Sequence, residues 1–159
     1  MKTTLAIILA GVLLLGLHNQ VKAQELTRQQ KSTIEQQVDS VFLTMVKAAE
    51  DLDYGKISTG VDDRYNAGSI VNGIYYAKYD SLVSVLKGNL RVGTKQGIEI
   101  KNKKITALSE RISLLTTSGD ADVEPTGGQS FHVSFFWSFV YEKTDNGWKV
   151  IQSHQSGVR

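Results

Sequence analysis

The sequence predicts an α+β protein with its helices gathered early and its long strands late. Three observations carry that expectation: a long amphipathic run from Leu26 to Leu52, an Asn-Gly turn between two short apolar runs, and an alternating strand from Phe131 to Tyr141 that turns back through Trp148 to Ser156. Helical periodicity followed by runs of period-two alternation, without regular interleaving, points away from a parallel α/β sheet.

In the first run Ile34, Val38, Val41, Phe42, Met45, Ala49 and Leu52 recur at steps of three and four, with Gln, Glu, Asp and Lys between them. That spacing lays one apolar stripe along a helix. Thr27 with Gln30, or Ser32 with Glu35, offers a capping box at its start, and Gly55 a stop. Leu52 to Val61 then reads as a short helix or turn carrying Ile57. Ser69-Ile70-Val71 and Ile74-Tyr75-Tyr76 flank Asn72-Gly73, a pair that readily takes the positive φ values of a type I′ hairpin. Asp80 or Ser81 can cap a further helix with Leu82, Val83, Val85, Leu86 and Leu90 on its buried side and Gly88-Asn89 at its end. Two strands follow, Ile98 to Leu108 and Arg111 to Val123, and Glu124-Pro125-Thr126-Gly127-Gly128 makes a loop.

The last strand pair defines a candidate pocket. Alternation puts Phe131, Val133, Phe135, Trp137, Phe139 and Tyr141 on one face and His132, Ser134, Phe136, Ser138, Val140 and Glu142 on the other. A tight turn through Asp145-Asn146 or Asn146-Gly147 is expected to continue the aromatic face with Trp148, Val150, Gln152 and His154. On that register Trp137 and Phe139 form the apolar wall of a cleft, with Gln152 and His154 at its polar end.

The chain opens with Met1-Lys2-Thr3-Thr4, an uncharged apolar stretch from Leu5 to Leu17, and Val21-Lys22-Ala23 before Gln24. These are the parts of a secretory signal peptide over residues 1–23, and the apolar stretch is shorter than the roughly 20 residues that span a bilayer. Residues 24–159 are then expected to form one domain, exported to a periplasm or beyond without stable membrane insertion. The chain contains no cysteine, hence no lipidation acceptor and no disulfide. Both basic residues of the leader, Lys2 and Lys22, account for the formal net charge of +2, so the remaining chain gives no electrostatic argument for nucleic acid.

The order of long helix, short helix, small hairpin, helix and long strands resembles the nuclear transport factor 2-like superfamily, in particular its SnoaL-like and DUF4440-type branches. The residues that carry the resemblance are Ala48-Ala49-Glu50-Asp51-Leu52-Asp53, Val71-Asn72-Gly73, Phe136-Trp137, and Asn146 through Ser156. It implies a cone-shaped roll, a strongly bent antiparallel sheet wrapped around about three N-terminal helices, with a pocket at the open end. It also implies a homodimer through the outer sheet surface. The superfamily serves isomerases, dehydratases, polyketide cyclases, assembly domains and ligand carriers, so function has to be argued from the site.

Candidates for chemistry are few. His154 could act as acid, base or hydrogen-bond donor to a ligand. Asp62, Asp63 and Asp120 could serve as a general base if burial raised their pKa, and Asp120 shares a strand face with Asp122. Tyr75, Tyr76 and Tyr79 precede the third helix, near where the resembled fold has its pocket mouth, and Tyr76 is taken as a pocket residue. His132 and His154 have opposite strand parity, a poor basis for zinc, and nothing in the sequence calls for a cofactor. Gly-x-Ser-x-Gly, Walker and Gly-x-Gly-x-x-Gly motifs are missing. The sequence is therefore read as a domain binding a small, partly apolar ligand. An isomerase, dehydratase or cyclase using a pocket His or Asp is the rival, and a protein-interaction module the third reading.

Overall fold

The computed structural model describes residues 25–89, 93–125 and 128–158. The leader expected at residues 1–23, Leu90 and the loop residues Thr126-Gly127 lie outside them. The elements run α1 (Arg28–Glu50), α2 (Tyr54–Thr59), β1 (Ser69–Val71), β2 (Ile74–Tyr76), α3 (Tyr79–Asn89), β3 (Gly93–Ala107), β4 (Ile112–Pro125), β5 (Phe131–Thr144) and β6 (Gly147–Val158). One curled six-stranded sheet in the order β2-β1-β6-β5-β4-β3 wraps the helices, which gives the expected α+β cone. All neighbours are antiparallel except β1 and β6, which run parallel.

Thr27 starts α1 with a full capping box: its side chain accepts from the Gln30 N–H at 3.2 Å while Gln30 Oε1 accepts from the Thr27 N–H at 2.8 Å. The stripe Ile34, Val38 and Phe42 is buried against Leu115, Phe139, Tyr141, Trp148 and Val150 from the concave face of the sheet. The Trp148 indole donates to Gln37 Oε1 at 2.9 Å, fixing helix to sheet where the cone closes. The helix stops earlier than Gly55. Leu52 takes a left-handed φ of 54°, and Asp53 caps α2 by accepting from the Lys56 N–H at 2.9 Å, so Gly55 lies inside the second helix. At its far end α1 is bonded to the edge strand β3: the Ile98 N–H donates to Glu50 Oε1 at 3.1 Å and Gln96 Nε2 to the Ala49 carbonyl at 3.1 Å. These bonds occupy part of an otherwise open sheet edge.

Asn72 and Gly73 have φ of 48° and 82°, as the hairpin requires. The third helix is capped from a distance rather than by Asp80 or Ser81: Asp63 Oδ2 accepts from the Tyr79 N–H at 2.9 Å. Leu82 and Val83 are buried with Tyr79, whereas Val85 is exposed, because at 100° per residue it has turned away from the stripe they define.

The β5–β6 pairing departs from simple alternation. Tyr141 faces Val150 but Val140 faces Gln152, so Ile151 is an extra residue, a β-bulge. Val150 pairs with Val61, in parallel, while Ser153 to Gln155 pair with β1, so the bulge falls where β6 changes its outer neighbour. A one-residue slip reverses every side chain beyond it. Trp148 and Val150 face the core as expected, but past Ile151 the inward residues are Ser153, Gln155 and Gly157. Gln152 and His154 stand on the outer face, His154 beside Ser138.

Candidate functional site

Between the α1 core and the α3 cluster lies a cavity of about 410 Å³, within the size range of small-molecule sites. Phe42, Met45 and Ala49 of α1 form one wall and Tyr54, Ile57, Tyr79 and Leu82 of α2 and α3 another. The inner row of β5 makes the floor, where Phe135 and Trp137 stack with centroids 3.8 Å apart and planes 17° off parallel. Phe139 meets Trp137 edge-on at 6.2 Å. The Phe135 ring has room because Gly119 lies beneath it: a Cβ there would stand 2.7 Å from Phe135 Cζ and 1.9 Å from the Glu99 carbonyl oxygen.

The polar part of the wall comes from β1, β3 and β6 and is largely bonded to itself. Ser153 Oγ donates to Ser69 Oγ at 2.9 Å and accepts from Gln155 Nε2 at 3.2 Å. Asn72 Oδ1 accepts from the Gly157 N–H at 2.9 Å. Burial pushes the Tyr79 phenol above its ordinary pKa, with the neighbouring Tyr54 adding to the effect, so the Tyr79 hydroxyl keeps its proton. Among the described residues, the cavity is lined by no Asp, Glu, His, Lys or Arg.

Of the sequence candidates, Trp137 and Phe139 line this cavity, as does Tyr79. Tyr76 packs half-buried against Tyr79, Leu82 and Val83 without reaching the lining, and Tyr75 is exposed, donating to the Asn66 carbonyl at 2.9 Å. His154 and Gln152 are on the other side of the sheet for the reason given above. Asp63 is occupied by the α3 cap, and Asp62 holds the Arg64 guanidinium, which lowers its pKa. Asp120 also points outward. It accepts from Ser134 Oγ at 2.9 Å and is paired with Lys101, bonds that lower its pKa, with His132 Nε2 3.5 Å away. His132 Nδ1 sits 2.8 Å from Asp122 Oδ1, and this bond first, then the Asp120 charge, raises the imidazole pKa. Among the described residues no group of three or more His, Cys, Asp or Glu side chains could hold a metal ion.

Sequence reasoning missed Tyr54, Gln96 and Gln155 as lining residues. Gln155 was misplaced by the bulge alone. Gln96 lies inward because it pairs with Val123, which pairs with Phe131, and that register was open without knowing the irregularities of β3.

A curled sheet closed on helices around an aromatic, uncharged cavity defines a class of small α+β cones. Residues 38–159 match the family model of the SnoaL-like domain, and the chain belongs to that family. Solved structures agree on the fold. A nuclear transport factor 2-like superfamily protein from Salmonella enterica serovar Typhimurium LT2 aligns with a TM-score of 0.71 at 14% identity over 80% of this chain and 93% of its own. The hexachlorocyclohexane dehydrochlorinase LinA-type3 from Novosphingobium barchaimii LL02 aligns with a TM-score of 0.69 at 14% identity over 84% and 92%. An NTF-2 like protein of unknown function from Shewanella oneidensis MR-1 gives 0.58 at 18% identity over 76% and 97%. No curated protein matches the chain in sequence.

Proposed function

We propose that the protein binds a small, partly apolar ligand in the inner cavity and performs no chemistry on it. The observation that carries this reading is the lining itself: stacked aromatic rings, amides and hydroxyls, and among the described residues no group that would exchange a proton near neutral pH. Enzymes of the same fold, such as the dehydrochlorinase above, favour the rival reading by analogy alone. Against it stand the positions of the four candidate bases, since His154 and Asp120 face outward and Asp62 and Asp63 are engaged elsewhere.

The proposal includes export on the leader at residues 1–23 and function as a homodimer through the outer sheet face. No described helix is long and apolar enough to cross a membrane. Native mass spectrometry of protein recovered from the exported fraction of its own cells tests the binding reading. A bound small molecule, released on unfolding, is the expected result. Protein that carries no adduct and fails to bind the neutral dye Nile red overturns it.

A further inference from the structure

Two amides in the cavity wall turn their nitrogens to partners within the protein. Gln96 Nε2 bonds to the Ala49 carbonyl, which can only accept, so the Gln96 amide cannot be flipped without losing the bond. Gln155 Nε2 donates to Ser153 Oγ, which donates in turn to Ser69 Oγ. Each amide therefore has its Oε1 left over, and neither oxygen receives a hydrogen bond from a described residue. Gln96 stands at the level of Phe131 and Gln155 beside Trp137, so the free acceptors lie at two different levels of one aromatic floor.

Of the hydroxyls in the lining, Ser153 and Ser69 are bonded to each other, whereas the buried Tyr141 hydroxyl has no partner among the described residues. Thr117 donates to the Asn102 carbonyl at 2.7 Å, and Ser113 to the Thr106 carbonyl at 3.1 Å. The nearby cation Lys103 is paired with Asp39 outside the cavity lining. A ligand that enters thus finds rings to stack on, carbonyl oxygens that want a donor, and no counter-charge. An ionised ligand would lose its hydration with no opposite charge in the lining to offset the loss, a cost that grows steeply in an apolar site. A hydroxyl group would instead keep its hydrogen bond on entering.

We propose that the cavity selects an uncharged ring compound carrying a hydroxyl group, and discriminates against the same skeleton bearing a carboxylate. This rests on the ligand-binding reading of the same cavity and adds the chemical class.

The test uses the mature protein with Nile red as a fluorescent reporter and three competitors of one skeleton at neutral pH: 2-naphthol, naphthalene and 2-naphthoate. The expected order of displacement is naphthol first, naphthalene about 3- to 10-fold weaker for want of one hydrogen bond, and naphthoate weaker still. In folded Gln96→Leu and Gln155→Leu proteins, with displacement read against each variant's own Nile red affinity, the advantage of naphthol over naphthalene should shrink in at least one. Naphthoate equal to or better than naphthol overturns the inference, as does naphthol no better than naphthalene, or an advantage that survives in both folded variants. In those cases the bound dye leaves the binding reading standing. Failure of the folded wild type to bind Nile red, by contrast, removes the binding reading and the inference with it.

Discussion

Tyr141 is fully buried on the inner face of β5, and its hydroxyl has no hydrogen-bond partner among the described residues. Burial, with a smaller contribution from the Asp39 charge, pushes its pKa up. An unpaired buried hydroxyl carries a desolvation cost and returns nothing, so Tyr141→Phe should raise stability by about 1 kcal/mol in a denaturant titration, and a loss of that size would refute the assignment. On the opposite face the polar residues titrate in a coupled way. The folded state raises the pKa of His132, so its contribution is complete below the unfolded value and is lost as pH rises through the folded one. Asp120 is depressed by Lys101 and Ser134, so its contribution is present above the unfolded value and is lost as pH falls through the folded one. Both contributions are complete together between about pH 4 and 6.5, the ordinary values of the two groups, and decline beyond that window on either side. A proton NMR titration should find His132 titrating above the ordinary imidazole value in the wild type and closer to it in Asp122→Asn. Coincident curves would show that the Asp122 bond does not form in solution.

At the scale of elements, the arrangement depends on places where one segment approaches another too closely for an ordinary residue. Gly119 brings β4 against β3 beside the irregularity at Ile100 to Asn102, and the contact distances of a Cβ there are far below those any side chain tolerates. Gly119→Ala should therefore cost at least about 2 to 3 kcal/mol and disturb the Phe135 ring that floors the cavity, while Gly97→Ala, with open space around its Cβ, should have little effect. Equal stabilities in the two variants would contradict this packing. What was legible in the sequence follows the same division. The aromatic row of β5, the capping box of α1 and the Asn72-Gly73 hairpin are each contained in one short stretch, and period or turn chemistry specifies them locally. The bulge at Ile151 and the Asp63 cap of α3 are decided by partners distant along the chain, Val61 and β1 in one case and Tyr79 in the other. So the floor of the cavity could be read from Phe131 to Tyr141, but the identity of its polar wall could not. Parity counted straight through β6 selected Gln152 and His154 in place of Ser153 and Gln155.

At the scale of the whole molecule, the curled sheet has two faces of different character, and the bulge assigns His154 to the outer one. There a shallow groove of about 650 Å³ is lined by Phe136, Ser138, His154, Thr116, Ser118 and Lys104 among others, and Phe136 is 57% exposed at its centre. Val140 is half-buried on the same face, and the surrounding hydroxyl groups make a polar frame for an apolar middle, which is how an interface patch is built. Pairing two copies through this face would bury Phe136 and leave both cavities independent, since each cavity lies on the other side of the sheet and is lined by its own chain. The proposed homodimer therefore predicts a separation of effects. Phe136→Glu should give a folded monomer by light scattering, because two carboxylates would face each other across an apolar contact, yet Nile red should bind it as it binds the wild type. Wild-type protein that stays monomeric at high concentration, or a folded variant that remains dimeric, would place any association elsewhere. Loss of dye binding together with the dimer would mean that the cavity depends on the second copy, against its lining by residues of one chain on the opposite face of the sheet.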